Sequence, residues 1–170
     1  VVALVALLLV VLPLFAKEVF AGDAKTYSLL MTFSGAGSVV GALIVAWLGK
    51  FTHMGRTTLL VQVIYGVLIV AFAMSRSLWL SAALLFLTGT ALMVVFSTVT
   101  SLVQLIAPNE MRGRVMSIYM LAFRGGMPLG SLASGWAATY IGATRVLEIN
   151  GVLLIAVAIF FLLRQGVREI

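Results

Sequence analysis

The sequence predicts an all-α, polytopic membrane protein with six transmembrane helices, and three observations carry that prediction. Of 170 residues, 63% are hydrophobic and only 9% are charged, far from the roughly half apolar and quarter charged mix of soluble domains. Mean hydropathy is +1.22. Nearly the whole chain also divides into apolar pieces of about 20 residues, the length that crosses a hydrocarbon core about 30 Å thick.

Taken in order, the first element is the apolar run from Val1 to Ala16, which ends near Lys17 and Glu18. No initiator methionine and no basic segment precede it, whereas a signal peptide needs a positive n-region and a small-residue cleavage site. A truncated first transmembrane helix is expected, and with it a chain that is a fragment. The turn from Ala21 to Lys25 leads to a second helix over about 26–49. Lys50 to Thr57 forms a basic turn before a third helix over about 58–74. Ser75, Arg76 and Ser77 connect to a long fourth helix over about 78–106. The turn from Pro108 to Arg114 precedes a fifth helix over about 115–141, and Gly142 to Arg145 precede a sixth over about 146–163.

Aromatic placement agrees with these divisions. Trp47, Trp79, Trp136 and Tyr140 fall near expected helix ends, where an amphipathic ring gains by sitting at headgroup level. The turns after the second and fourth helices and the C-terminal tail hold Lys50, Arg56, Arg112, Arg114, Arg164 and Arg168; the other side holds Lys17, Lys25, Arg76 and Arg145. The side richer in Lys and Arg is expected to be cytoplasmic, with both chain ends there.

Composition also excludes function classes. The formal charge is +6, but the basic residues are scattered between apolar segments and form no nucleic-acid-binding stripe. With no cysteine, disulfides, thiolate metal sites and cysteine nucleophiles are excluded. His53, the single histidine, lies in a turn, and the acids Glu18, Asp23, Glu110, Glu148 and Glu169 all lie near expected helix ends. Nothing at membrane depth could activate Ser131 or Ser134 or hold a metal, so neither catalysis nor a cofactor is expected.

Small residues mark the second and fifth helices. Ser34, Gly37, Ser38 and Gly41 recur at helical spacing, as do Gly126, Gly130 and Ser134. Such stripes let helix backbones approach closely in lipid. Gly35, Ala36, Gly37 and Gly41 do not make a nucleotide-binding loop, because no strand precedes them and an apolar helix surrounds them. In the fifth helix Pro128 removes an amide donor and crowds the preceding turn, so a kink or hinge is expected just before it.

Arg124 is the sharpest single residue. Ten residues beyond Arg114 at about 1.5 Å each, it falls about 15 Å along the helix, near mid-bilayer. An arginine there costs at least a few kcal/mol unless it meets water, an anion or a partner. It either lines a polar cavity and contacts an anionic substrate group or carboxylate, or is structural, bonded to carbonyls freed near Pro128 or snorkelling to the surface. On the fourth helix, Ser97, Thr98, Thr100, Ser101 and Gln104 form a polar run, with Ser97, Ser101 and Gln104 on one face. That face either lines the same pathway or spends its hydroxyls on its own backbone while Gln104 joins two helices.

The segment PNEMRGRVMSIYMLAF, followed by GGMPLGSLASG, resembles the connection and penultimate helix in the C-terminal half of major facilitator superfamily transporters. The likeness is greatest to the bacterial branch that includes the enterobactin exporter. LPLFAKEV, GALIVAWLGKF and the stretch Gly49 to Arg56, a degenerate copy of the family's cytoplasmic signature, extend it over nearly all the chain. The copy lacks the signature's aspartate, and Arg124 stands where that branch would carry an apolar residue.

The resemblance implies that residues 1–170 are one six-helix bundle, helices seven to twelve, with a homologous N-terminal half as partner. It implies two bundles rocking about a central site in a bacterial inner membrane, and export of a small amphipathic molecule (a drug, siderophore or metabolite) by proton antiport, with the proton-carrying acid in the other half. The first, second, fourth and fifth helices would line the cavity, and the third and sixth, aliphatic in their middles apart from Tyr65, would face lipid. Gly49, Arg56, Glu110, Arg112 and Arg114 would form the cytoplasmic gating turns. The competing expectation is a non-catalytic membrane-embedded assembly or scaffold subunit, or a half-transporter working as a dimer. A channel would require a ring-forming charged motif, which is not visible.

Overall fold

The computed structural model describes residues 11–16, 19, 24–49 and 54–163, and every element in it is a helix. Residues 11–16 are helical and are called α1. The others are α2 (Ala24–Leu48), α3 (Met54–Met74), α4 (Leu78–Ile106), α5 (Arg112–Ile141) and α6 (Ala143–Leu163). The sequence-based ranges for α3, α5 and α6 begin three or four residues too late, because polar residues in a first helical turn read as connection. The first-turn amides need no intrahelical partner, so Arg56, Arg112 and Arg145 can sit inside a helix at the membrane surface. Lys17, Glu18, Asp23, Lys50, His53, Arg164, Arg168 and Glu169, which enter the charge pattern, lie outside the described residues.

Two turns are set by glycine. Gly49 closes α2 with φ +60° and its amide donates to Val45 O at 3.1 Å, the left-handed cap that an L side chain rarely adopts. Gly142, with φ +83°, reverses the chain between α5 and α6. The turn between α3 and α4 is held by hydroxyls instead, Ser81 Oγ donating to Ser75 Oγ at 2.9 Å.

The bundle is built on two close helix pairs. Against α4, α2 presents Ser34, Gly37, Ser38 and Gly41. A methyl added at Gly37 would run into the backbone carbonyl of Phe86, one at Gly41 into Thr90, and one at Gly89 into Ser34. Without side chains between them the backbones share polar contacts: Thr90 Oγ1 lies 2.9 Å from Gly37 O, and Ser38 Oγ reaches Gly89 O at 3.4 Å. The second pair joins α3 to α6 through Gly66 and Gly151, each approaching the other's carbonyl. Between the pairs lies a core of Leu12, Phe15, Ile69, Phe72, Leu85 and Leu154, with the Phe15 and Phe72 rings 4.6 Å apart.

Two features differ from the sequence-based expectation. The middles of α3 and α6 are not aliphatic on their inner faces: Gln62, Tyr65 and Asn150 are all buried there. Their outer faces are apolar and exposed, as at Ile64, Val67, Val152 and Phe160. In addition, α2, α3, α4 and α6 are long and apolar enough to cross a membrane, but α5 is not among them. It has 30 residues, yet five glycines, three arginines and Pro128 dilute its apolar content. The aromatic residues stand at both ends of the bundle, Trp47 at one and Trp79, Trp136 and Tyr140 at the other, each at least 69% exposed.

Candidate functional site

The site residues named from sequence fall into three places. At the end of the bundle where α2 and α4 finish and α3 and α5 begin, Gly49, Ser101, Gln104 and Arg112 line one cavity of about 470 Å³ with Met54 and Leu105. The turn that creates this end is local. The Met111 amide donates to Pro108 O at 3.0 Å and the Val115 amide to Met111 O at 3.0 Å, so Pro108 reverses the chain and α5 starts at once. Arg112 therefore stands in the first turn of α5, facing the last turns of α4. Ser101 is half-buried and Gln104 exposed, and neither makes a side-chain hydrogen bond among the described residues. Arg56, Glu110 and Arg114 lie at the same end, exposed and outside the cavity.

The α4 polar run divides by position. Thr98 is buried and donates to Val94 O at 2.7 Å. Thr100 donates to Phe96 O at 2.8 Å and lies 3.4 Å from the Tyr119 hydroxyl of α5. Those hydroxyls serve helix backbone and helix contact, whereas Ser97 and Ser101 have no such bond among the described residues. The α4 contact with α5 is aromatic: Phe96 and Phe123 rings are 5.0 Å apart, with Tyr119 6.4 Å from Phe123. Sequence reasoning missed this cluster; its signal is the spacing of Phe96, Thr100, Tyr119 and Phe123 at one helical turn on each helix.

Arg124 is apart from the cavity, on the exposed face of α5. Counted at about 1.5 Å per residue, it is about 15 Å from Arg114 and about 18 Å from Trp136, close to the middle of a hydrocarbon core about 30 Å thick. The helix runs unbroken from Arg112 to Ile141 with Pro128 inside it. No unwound segment appears, but Pro128 has no amide hydrogen, and the carbonyl four residues back that loses its donor is that of Arg124 itself. Mid-span, one residue thus offers both a cationic side chain and a backbone acceptor without its usual helical donor. On another face of α5, Gly130, Ser134 and Ala138 are buried and Gly126 is half-buried, a stripe of small residues at one-turn spacing.

Among the described residues no three His, Cys, Asp or Glu side chains cluster as a metal site would require. The chemistry the arrangement offers is recognition: a cation with an amide and a hydroxyl at one end, and a second cation at mid-depth.

The family model for transmembrane secretion effectors, of the major facilitator type, matches residues 2–169. The chain is also similar to the Staphyloferrin A transporter of Staphylococcus aureus (strain NCTC 8325 / PS 47), with 25% identity over 154 residues. That alignment covers 88% of this chain and 37% of the relative, so the chain spans well under half the length of the curated relative it matches. No solved structure matches.

Proposed function

Because this chain belongs to the transmembrane secretion effector family of the major facilitator superfamily, we propose that it is the C-terminal six-helix half of a proton-coupled exporter working by alternating access. In this reading a homologous N-terminal half completes the central cavity, and the cargo is a small amphipathic molecule of siderophore type, the class to which the name of the staphylococcal relative points. The membrane is a bacterial inner membrane, with Arg56, Arg112 and Arg114 on the cytoplasmic side.

The observation that carries the reading is the placement of Arg124, exposed at mid-span on a helix whose small-residue face is buried. Charge at that depth is tolerated where it faces water, an anion or a partner, and in membrane proteins it marks such a place. Arg124 would meet an anionic group of the cargo, while Ser97 on α4 supplies a hydroxyl to the same space. The small-residue stripe on α5 lets that helix slide against its neighbour, and Pro128 weakens it where the cavity must change width.

The test is cargo-dependent efflux from vesicles containing the full-length protein, with and without an imposed pH gradient. Arg124→Ala is expected to lower transport at least tenfold, the loss of one charge-assisted hydrogen bond being worth about 1.5–3 kcal/mol, and Arg124→Lys to retain part of it. Unchanged rate and apparent affinity in a correctly inserted Arg124→Ala protein would remove Arg124 from the pathway. Transport indifferent to the pH gradient would remove proton coupling.

A further inference from the structure

A second cavity, about 390 Å³, runs along the bundle from the first. It is lined by Leu48, Ile64, Leu68, Leu87 and Val94, and it shares Val45 with the polar cavity. The two are segments of one groove between α2, α3 and α4. On α3 the lining begins at Met54 in the polar part and continues through Thr57, Val61, Ile64 and Leu68, alternating steps of three and four residues that keep one helix face. On α4 it passes from Ser101 to Val94 and Leu87 in steps of seven. Ile64 and Leu87, each about half exposed, open the groove toward the bilayer. From Ser101 to Leu87 the groove spans about 21 Å at 1.5 Å per residue, somewhat more than the roughly 15 Å depth of one leaflet.

The two ends of the groove differ in chemistry. The long part is aliphatic, and the Thr90 hydroxyl within it is already engaged with the Gly37 and Phe86 carbonyls at 2.9 Å. The short part, at the level of the helix ends, holds Arg112, Gln104 and Ser101. Among the described residues none of the three has a side-chain hydrogen bond or ion pair, and the amides opening α5 there have no side-chain cap. A cation, an amide donor and a positive helix terminus stand together at this end, a combination that suits one negative charge, and the apolar part of the groove leads away from it.

We propose that this groove is a binding site for an anionic phospholipid of the leaflet at that end. The phosphate is held by Arg112, Gln104 and Ser101, and one acyl chain lies along Val45, Ile64, Val94 and Leu87. The site does not depend on the transport reading, since it is built within this chain alone and its test requires no cargo.

The experiment titrates the full-length protein in neutral detergent with short-chain phosphatidylglycerol, phosphatidylcholine of the same chain length, and inorganic phosphate, following binding by calorimetry and thermal unfolding. Saturable binding of phosphatidylglycerol is expected, with phosphatidylcholine weaker. Arg112→Gln should weaken phosphatidylglycerol roughly tenfold or more, Arg112→Lys less, and Arg114→Gln little. Val94→Phe, which fills the apolar channel, should weaken the lipid and leave inorganic phosphate unaffected. Equal binding of the two lipids, or no loss in Arg112→Gln, overturns the proposal. So does failure of wild-type protein to bind phosphatidylglycerol, the result expected if another part of the protein covers the groove. If inorganic phosphate binds as tightly as the lipid and Val94→Phe changes nothing, the site takes a soluble anion and the lipid assignment falls. Should Arg112→Gln not fold, the lipid comparison in wild type and the Arg112→Lys and Val94→Phe variants still decide.

Discussion

Adding one methyl group to α2 at two neighbouring glycines should have opposite consequences. At Gly37 the new Cβ would stand 2.7 Å from the carbonyl carbon and 3.0 Å from the Cα of Phe86, and closer still to its oxygen. These are backbone atoms of a helix interior, so no rotamer change relieves the contact. Ordinary carbon contacts lie at about 3.5–4.0 Å, and α2 must therefore move about 1 Å away from α4, a gap that forfeits a quarter to a half of each dispersion contact it opens. Overpacking of this kind costs about 1–3 kcal/mol, and stretching the Thr90 to Gly37 bond adds about 0.6 kcal/mol, the average for such bonds in a membrane protein. At Gly35 a Cβ meets nothing within 4 Å. Both variants share the helix-propensity gain of alanine over glycine, up to about 1 kcal/mol in water, so it cancels in the comparison. Gly37→Ala should therefore be about 2–4 kcal/mol less stable than Gly35→Ala. The measurement is reversible unfolding in mixed micelles by titration with sodium dodecyl sulfate, followed by circular dichroism. If the two variants agree to within about 0.5 kcal/mol, a typical additivity error, the backbones of α2 and α4 do not meet at Gly37.

Thr90→Val removes the hydroxyl that bridges to Gly37 and keeps the packing volume; a loss of about 0.6 and at most about 1.7 kcal/mol is expected in the same titration, and a larger loss would mean that the hydroxyl does more than bridge. Pro128→Ala restores an amide donor to the Arg124 carbonyl, so stability should rise by up to about 3 kcal/mol while efflux slows. A rise in stability with unchanged efflux would deny the proline a mechanical role.

What the sequence made legible follows the physics of each signal. Polar breaks in an apolar chain are strong, and the α4 range from Leu78 to Ile106 is read without error because Ser75 to Ser77 and Pro108 bound it sharply. The glycine spacing on α2 also pointed to a close approach, since Gly37 and Gly41 are one turn apart; it could not say that α4 is the neighbour, because Gly89 stands alone in its helix. Gly66 and Gly151 carry no such signal, since Gly151 is single in α6 and Gly66 has no small partner one turn away in α3. Gln62 and Asn150 were hidden by averaging, one amide amid aliphatic residues scarcely altering the hydropathy of a helix. The site was legible as residue types and not as places. Ser101 and Gln104 were grouped with Arg124 because all are polar in apolar helices, whereas the structure puts them with Arg112 and Gly49 around one cavity. Only the chain reversal at Pro108 brings the start of α5 beside the end of α4, and no spacing rule within either helix encodes that.

The exposed face of α5 bears on what surrounds this chain. Leu121, Leu129 and Leu132 are each more than 70% exposed, and Leu121, Arg124, Pro128 and Leu132 follow one another at steps of three and four residues, which places the arginine within an apolar stripe. Lipid would accept the leucines but charges about 2.5–3.5 kcal/mol for the arginine at mid-depth. Bulk water would accept the arginine but not a row of leucines. A narrow aqueous cavity facing a second apolar surface suits both, which is what the proposed transporter requires of this face. The 170 residues contain no cysteine, so single cysteines can be introduced here without background from this segment. Leu121→Cys and Leu132→Cys should react with a membrane-impermeant maleimide in full-length protein, and cargo should slow the reaction at both. Ile149→Cys, on α6 and also exposed, should be protected by lipid. Protection of all three positions would place this face of α5 against lipid or a sealed protein contact, and Arg124 would then be a structural residue snorkelling to the surface.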